Sequence, residues 1–260
     1  MKKLLLSLAT GLAGYALSCG LAHAQVTIDQ NKAMAGNVTP GDTAGFPITI
    51  SQPGSYKLTG NLTVPANTTG IQITVPNVTL DMNGFTLSGP VTCTQDINAA
   101  SRAVTCSQGS AGVYGIVMDM KASGSVIRNG VVRGFAGVGI LGREGDTVEH
   151  MRITQNALDG ITATSEFGQG LAVLDSVIDL NGSTGISVAN GQVQRCRVAS
   201  NGNVGIWGSS LLTVQDTLVR LNNGNSLYGV TASRVVAGSN RLPRGNVTSL
   251  GGNYEAGAVY

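Results

Sequence analysis

Residues 173–186 read Val-Leu-Asp-Ser-Val-Ile-Asp-Leu-Asn-Gly-Ser-Thr-Gly-Ile, and residues 193–206 read Val-Gln-Arg-Cys-Arg-Val-Ala-Ser-Asn-Gly-Asn-Val-Gly-Ile. The two stretches share one register: a Val, a β-branched residue five positions later, an Asn three later, then Gly-Ile. The Val, β-branched and Asn positions recur as Val148/Ile153/Asn156 and Val214/Val219/Asn222. A Gly-[Ile/Val] pair stands at Gly70, Gly115, Gly139, Gly160, Gly185, Gly205 and Gly229, with steps of 24, 21, 25, 20 and 24 residues from Gly115 onward. Self-similarity at a fixed period marks a repeat architecture. Short β-branched runs broken by Asn and Gly read as strands joined by tight turns, because those two residues tolerate the left-handed backbone of sharp corners.

A coil of this length holds three short strands and three turns. Coils stacked at about 4.8 Å place equivalent residues above one another. The Val and Ile columns then form one aliphatic core that no single coil could bury alone. The pattern predicts an all-β chain, a single right-handed parallel β-helix of about seven coils with caps at both ends. In it, Asn156, Asn181, Asn201 and Asn222 form a structural amide ladder along one corner. A leucine-rich horseshoe is excluded, since its Leu-x-x-Leu-x-Leu pattern is missing. Composition agrees: 37 of 260 residues are glycine, while aromatics make up 4% and charged residues 12%. A narrow aliphatic core with many turns needs little aromatic bulk.

Residues 78–89 (Val-Thr-Leu-Asp-Met-Asn-Gly-Phe-Thr-Leu-Ser-Gly) and 126–135 (Val-Ile-Arg-Asn-Gly-Val-Val-Arg-Gly-Phe) resemble coils of bacterial right-handed β-helix repeat proteins of the pectate-lyase-like superfamily. The stretch from Ile48 to Gly60 resembles their opening segment, and the likeness covers roughly residues 45–235. It implies a fold and no particular reaction, because that superfamily mixes lyases, hydrolases, epimerases and proteins without known activity.

The N-terminus reads as an export signal: Met1-Lys2-Lys3, an apolar run from Leu4 to Leu21, then Ala22-His23-Ala24. Residues 1–24 are therefore expected to be removed before Gln25, giving a secreted or periplasmic protein; an uncleaved anchor helix is the alternative. No second apolar run is long enough to span a bilayer. Removing Lys2 and Lys3 leaves 14 basic and 14 acidic side chains, a balance that points away from nucleic acid and from anionic membrane surfaces. Residues 25–69 are expected to form the N-terminal cap and first coil, 70–234 the β-helix with a loop insertion at 90–112, and 235–260 the C-terminal cap. The insertion contains Cys93 and Cys106, which an oxidising compartment should join. Cys196 is assigned to the column of Asn83 and Asn129 and read as a buried thiol.

Function is sought on the strand after each Gly-[Ile/Val]. Its first outward column is assigned as Gln72, Val117, Leu141, Thr162, Ser187, Trp207 and Thr231, and its second as Thr74, Asp119, Arg143, Thr164, Ala189, Ser209 and Ser233. Trp207, the one tryptophan, with Thr162 and Ser187, is the candidate ligand-binding set, polysaccharide the candidate partner. The catalytic candidates are Asp119, Arg143, Glu144 and Glu166, since a glycosidase needs two flanking carboxylates and a lyase a carboxylate cluster with a base. The Gly-His-Gly segment of the superfamily's hydrolases and the Asp-Pro-His segment of its epimerases are both missing. His150, the mature chain's one histidine, falls on a different strand. No His/Cys metal spacing is present, no cofactor is expected, and calcium enters only under a lyase reading. The favoured reading is thus a non-catalytic carbohydrate-binding solenoid, against a polysaccharide lyase or hydrolase and against a structural or adhesive surface protein. A further column, Arg128, His150, Asp175, Arg195 and Asp216, is read as an alternating charge ladder that fixes coil register.

Overall fold

Alternating Ile and Val side chains turn inward from three columns of parallel strands, and the chain passes through one strand of each column per coil. The computed structural model describes residues 25–96, 98, 102–163, 170–242, 244–256 and 258–259. The expected signal peptide 1–24, Thr164 and Glu166 lie outside the described residues.

Sheet A contains Ile48–Ile50, Ile71–Ile73, Tyr114–Met118, Val138–Gly142, Ile161–Ala163, Ile186–Val188 and the start of Ile206–Gln215. Sheet B runs from Val26–Ile28 and Gly54–Leu58 through Val78–Asp81, Leu171–Leu174 and Gly191–Gln194 to Thr248–Ser249. Sheet C runs from Leu62–Thr63 and Thr86–Ser88 through Val177–Asp179, Arg197–Ala199 and Leu218–Arg220 to Val236–Gly238 and Tyr254–Glu255. The longer strands Val126–Arg133 and Thr147–Thr154 bend from sheet B into sheet C, and seven register pairs join them across both. The solenoid makes about nine turns rather than seven, because the Gly-[Ile/Val] pairs do not mark the first coil or the coils after Ser233.

The core columns are dry: Ile71, Ile116, Ile140, Ile161, Ile186, Ile206 and Leu227 are each 0% exposed. The Gly before each Ile has a steric cause. A Cβ on Gly160 would stand 2.6 Å from Ile178 Cγ2, 2.8 Å from Asn181 Nδ2 and 2.7 Å from the Gly185 carbonyl oxygen. At Gly160 the neighbouring coils can therefore stack this closely only with hydrogen in place of a side chain.

Asn156, Asn181, Asn201 and Asn222 are fully buried, and each Nδ2 donates to the Oδ1 of the next Asn at 2.9–3.0 Å, ending on Asn240. Each Oδ1 from Asn181 to Asn240 also accepts the backbone N–H of the preceding Asn. These bonds satisfy polar backbone at a corner that water does not reach.

The charged column needs a correction of one residue. Arg128 aligns with Glu149 and pairs with Asp81 at 3.5 Å, so Asn129 precedes His150 in the column. Arg234 extends its other end. His150, Asp175, Arg195, Asp216 and Arg234 all have φ between 49° and 53°, the bend between sheets B and C. Arg195 donates to both oxygens of Asp175 (2.6 and 2.7 Å), and Arg234 to both of Asp216 (2.6 and 2.7 Å). These guanidinium bonds hold both carboxyls below the usual carboxylate range. Cys196 is also displaced by one: it stands between Ser176 and Thr217, in the column of Gly130 rather than Asn129. It is buried, and burial pushes its thiol up to about 11. Both corrections have one origin: the residue of this coil that aligns with Val148 is Ile127 rather than Val126, which moves Arg128 and Asn129 back by one position.

At the N-terminal end a short helix, Gln30–Ala35, is capped by Asp29, whose carboxylate accepts the Lys32 N–H at 2.8 Å. The buried Asp42 carboxylate accepts the N–H groups of Val38 (3.0 Å) and Thr49 (2.7 Å), tying this cap to the first strand of sheet A. At the other end, residues 235–260 add further parallel strands and one antiparallel strand, Ala258–Val259, on Tyr254–Glu255. Glu255 is buried there, accepting from Ser226 Oγ (2.6 Å) and Arg244 Nη1 (2.9 Å).

The 90–112 insertion contains an antiparallel hairpin, Cys93–Gln95 with Val104–Cys106, closed by a Cys93–Cys106 disulfide. The hairpin runs along the solenoid over later coils. Gln95 Nε2 reaches the Leu221 carbonyl at 3.2 Å, and Cys106 Sγ packs over Gly182.

Candidate functional site

The outer face of sheet A carries one row of side chains in continuous register: Thr49, Gln72, Val117, Leu141, Thr162, Ser187, Trp207 and Tyr228. Thr231 does not belong to it. The strand Ile206–Gln215 shifts register between Trp207 and Leu212, so the next coil meets sheet A at Leu227-Tyr228, while Thr231 pairs with Thr213 in sheet B and Ser233 with Gln215. Gly229-Val230 is therefore a corner, with φ +66° at Gly229, and Ser226-Leu227 takes the place of Gly205-Ile206. Sequence spacing could not reveal the shift, since the Gly-Val dipeptide recurs at the expected interval.

The shift places a second aromatic ring in the row. Trp207 is half-buried and Tyr228 is 42% exposed; they are neighbours across one strand step of about 4.8 Å. The Tyr228 ring lies over Gly245, where a Cβ would stand 2.9 Å from its Cδ2. Beside them, the Thr162 hydroxyl donates to Asp159 Oδ2 at 3.1 Å, and Asp159 Oδ1 accepts the Thr184 N–H at 2.9 Å. Ser187 stands between Thr162 and Trp207. The row ends in two ring faces preceded by two hydroxyls.

At the other end of the row, Gln72, Val117 and Asp119 line an open cleft of about 470 Å³, together with Pro47, Tyr114 and the 67–69 turn. The Asp119 carboxylate accepts from Gln72 Nε2 through both oxygens (3.3 and 3.1 Å). Arg143 stands one strand further on, and its Nε donates to the Met118 carbonyl at 3.0 Å. None of the ion pairs among the described residues joins it to Asp119. Glu144 follows Arg143 in the turn and is half-buried. The turn itself is held by Asp146, 1% exposed, which accepts the N–H groups of Arg143 and Ser125, both at 2.9 Å. Burial raises the Asp146 carboxyl to about 6 in spite of these bonds. His150 lies away from this face, on the bend between sheets B and C, in a second open hollow with Arg152 and Asp175. Among the described residues, no group of three His, Cys, Asp or Glu side chains is placed to hold a metal ion. Nor is any helix among them long and apolar enough to cross a membrane.

The Dettilon tailspike protein (gp208) is similar at 17% identity and TM-score 0.39, over 76% of this chain and 47% of its own. The Azotobacter vinelandii mannuronan C-5 epimerase AlgE6 A-module is similar at 15% identity and TM-score 0.34, over 81% of this chain and 70% of its own. The chain thus spans about half the length of the tailspike. No curated protein matches it. A family model described as the right handed beta helix region matches residues 48–223, well over half of the chain. With nine stacked coils and three parallel columns as its structure, the chain belongs to the right-handed β-helix family.

Proposed function

We propose that this chain is an exported carbohydrate-binding β-helix that holds a polysaccharide along the outer face of sheet A without cleaving it. The observation that carries the proposal is the row Thr162, Ser187, Trp207 and Tyr228, one residue per coil in unbroken register. An aromatic ring offers an apolar plane to the C–H face of a sugar, and hydroxyls beside it fix orientation. A rigid ladder sets these groups at a constant repeat, which suits a linear polymer. Cleavage would need two carboxylates flanking a bond. Asp119 stands four strand steps, about 19 Å, from the Trp207 coil, and the chain's mature histidine is on another corner. Export through the 1–24 signal is part of this reading, and the Cys93–Cys106 disulfide suits an oxidising compartment.

The test is to incubate residues 25–260, with and without calcium, with uronic-acid and neutral polysaccharides. Binding is read by affinity electrophoresis and products by mass spectrometry. The expected result is retardation by at least one polymer without fragments, weakened about tenfold or more in Trp207→Ala. Unsaturated fragments would identify a lyase and water-added fragments a hydrolase. Either would overturn the proposal, as would the absence of retardation by any polymer.

A second reading, a surface that meets another protein, is favoured by one observation. Val236, Tyr254 and Val259 are register neighbours at the end of sheet C, exposed by 49%, 44% and 75%.

A further inference from the structure

We infer that the cleft at the N-terminal end of sheet A is the end subsite of the glycan platform and selects an uncharged sugar over a uronate. The inference rests on the glycan-binding reading. Asp119 is the one charged residue lining the cleft; around it stand Gln72, Tyr114, Asn67, Thr68 and Thr69. A carboxylate offers about four acceptor positions. Gln72 Nε2 approaches both Asp119 oxygens at 3.1–3.3 Å, and no cation among the described residues lies within 4.0 Å of either. Arg143, the nearest cation in sequence register, directs its Nε to the Met118 carbonyl instead.

The cleft therefore presents acceptors and negative charge to whatever enters it. A neutral sugar answers with a pair of adjacent hydroxyl donors, which bond to an ionised acceptor more strongly than to a neutral one. Tyr114 supplies an apolar ring beside them, as Trp207 does at the far end. A uronate would bring a second carboxylate close to Asp119 in a partly desolvated hollow, and like charges repel more strongly there than in open water. Two further acceptors in the wall are already occupied. Thr69 Oγ1 accepts the Tyr114 N–H at 3.3 Å and Asn67 Oδ1 accepts from Gln108 Nε2 at 2.5 Å, while Asp119 is the one charged acceptor that the wall offers a ligand.

The experiment compares a neutral gluco-oligosaccharide with a galacturonate oligosaccharide of equal length by calorimetric titration. Wild type, Asp119→Asn and Trp207→Ala are used, each checked for an unchanged melting temperature. Wild type is expected to bind the neutral oligomer at least tenfold more tightly. Asp119→Asn is expected to weaken neutral binding roughly tenfold and to strengthen uronate binding, closing the gap. Preference for the uronate in wild type, or an unchanged ratio in Asp119→Asn, would overturn the cleft inference. The glycan-binding reading would stand in that case if Trp207→Ala still lost affinity. Binding of neither oligomer, when the polysaccharides also fail to retard the protein, would remove both.

Discussion

Asn181 shows how one side chain joins three coils. Its Oδ1 accepts from both the backbone N–H (3.2 Å) and Nδ2 (3.0 Å) of Asn156, while its Nδ2 donates to Asn201 Oδ1 (3.0 Å) and the Ile153 carbonyl (3.2 Å). Asn181→Ala would orphan those groups in a site without water, and urea denaturation should show a loss of about 2–4 kcal/mol. Asp146 has the opposite relation to its surroundings. Its folded value of about 6 lies above the ordinary 3.8, so between these two the folded state keeps a proton that the unfolded chain releases. Its contribution to stability is therefore full below about pH 4, is lost as pH rises to about 6, and stays constant above. Melting temperatures measured from pH 4 to 7 should fall more steeply in wild type than in Asp146→Asn; parallel curves would contradict this. The Asn column was legible because Val, β-branched and Asn recur at fixed spacing. Asp146 was not, since its burial depends on Ser125, one coil away.

At the level of elements, the disulfide-closed hairpin straps coils that lie far along the chain. Its path was not legible: the interruption at 90–112 and its two cysteines stand out, but the hairpin's supports, Gly182 and Leu221, belong to coils that begin many residues later. A Cβ on Gly182 would collide with the Ala157 carbonyl and stand 3.0 Å from Cys106 Sγ. Gly182→Ala should accordingly lower stability by about 1–3 kcal/mol. Gly238→Ala, whose Cβ would meet nothing within 4 Å, should change it by less than about 0.5 kcal/mol. Equal melting temperatures for the two variants would contradict the close approach of the Ala157 backbone to Gly182. The strand Ile206–Gln215 teaches the same lesson about register. Repeat spacing assigned Thr231 to the outer row, but a local shift between Trp207 and Leu212 puts Tyr228 there. Periodicity reports where coils recur, whereas a bulge inside one coil changes which residue faces out without changing the period.

Across the whole molecule, a stack of coils each too thin to bury its own apolar face becomes a rod with one continuous core and flat outer faces. That architecture was legible apart from the coils at its two ends, because a column of like residues is a property of sequence period. The chemistry of its faces was less so. Asp119 and Arg143 stand on adjacent strands as their spacing implied, yet no ion pair joins them, and His150 lies on another corner. The proposed glycan binding therefore rests on a surface row. The chain's single tryptophan lies in that row, so its emission reports on the site alone. The most direct test is to titrate the mature protein with a polysaccharide that retards it, following Trp207 fluorescence. Glycan binding along the outer face of sheet A predicts a saturable blue shift or quenching with the same midpoint as the retardation. An unchanged spectrum at saturating polysaccharide would show that the glycan binds elsewhere and would contradict it.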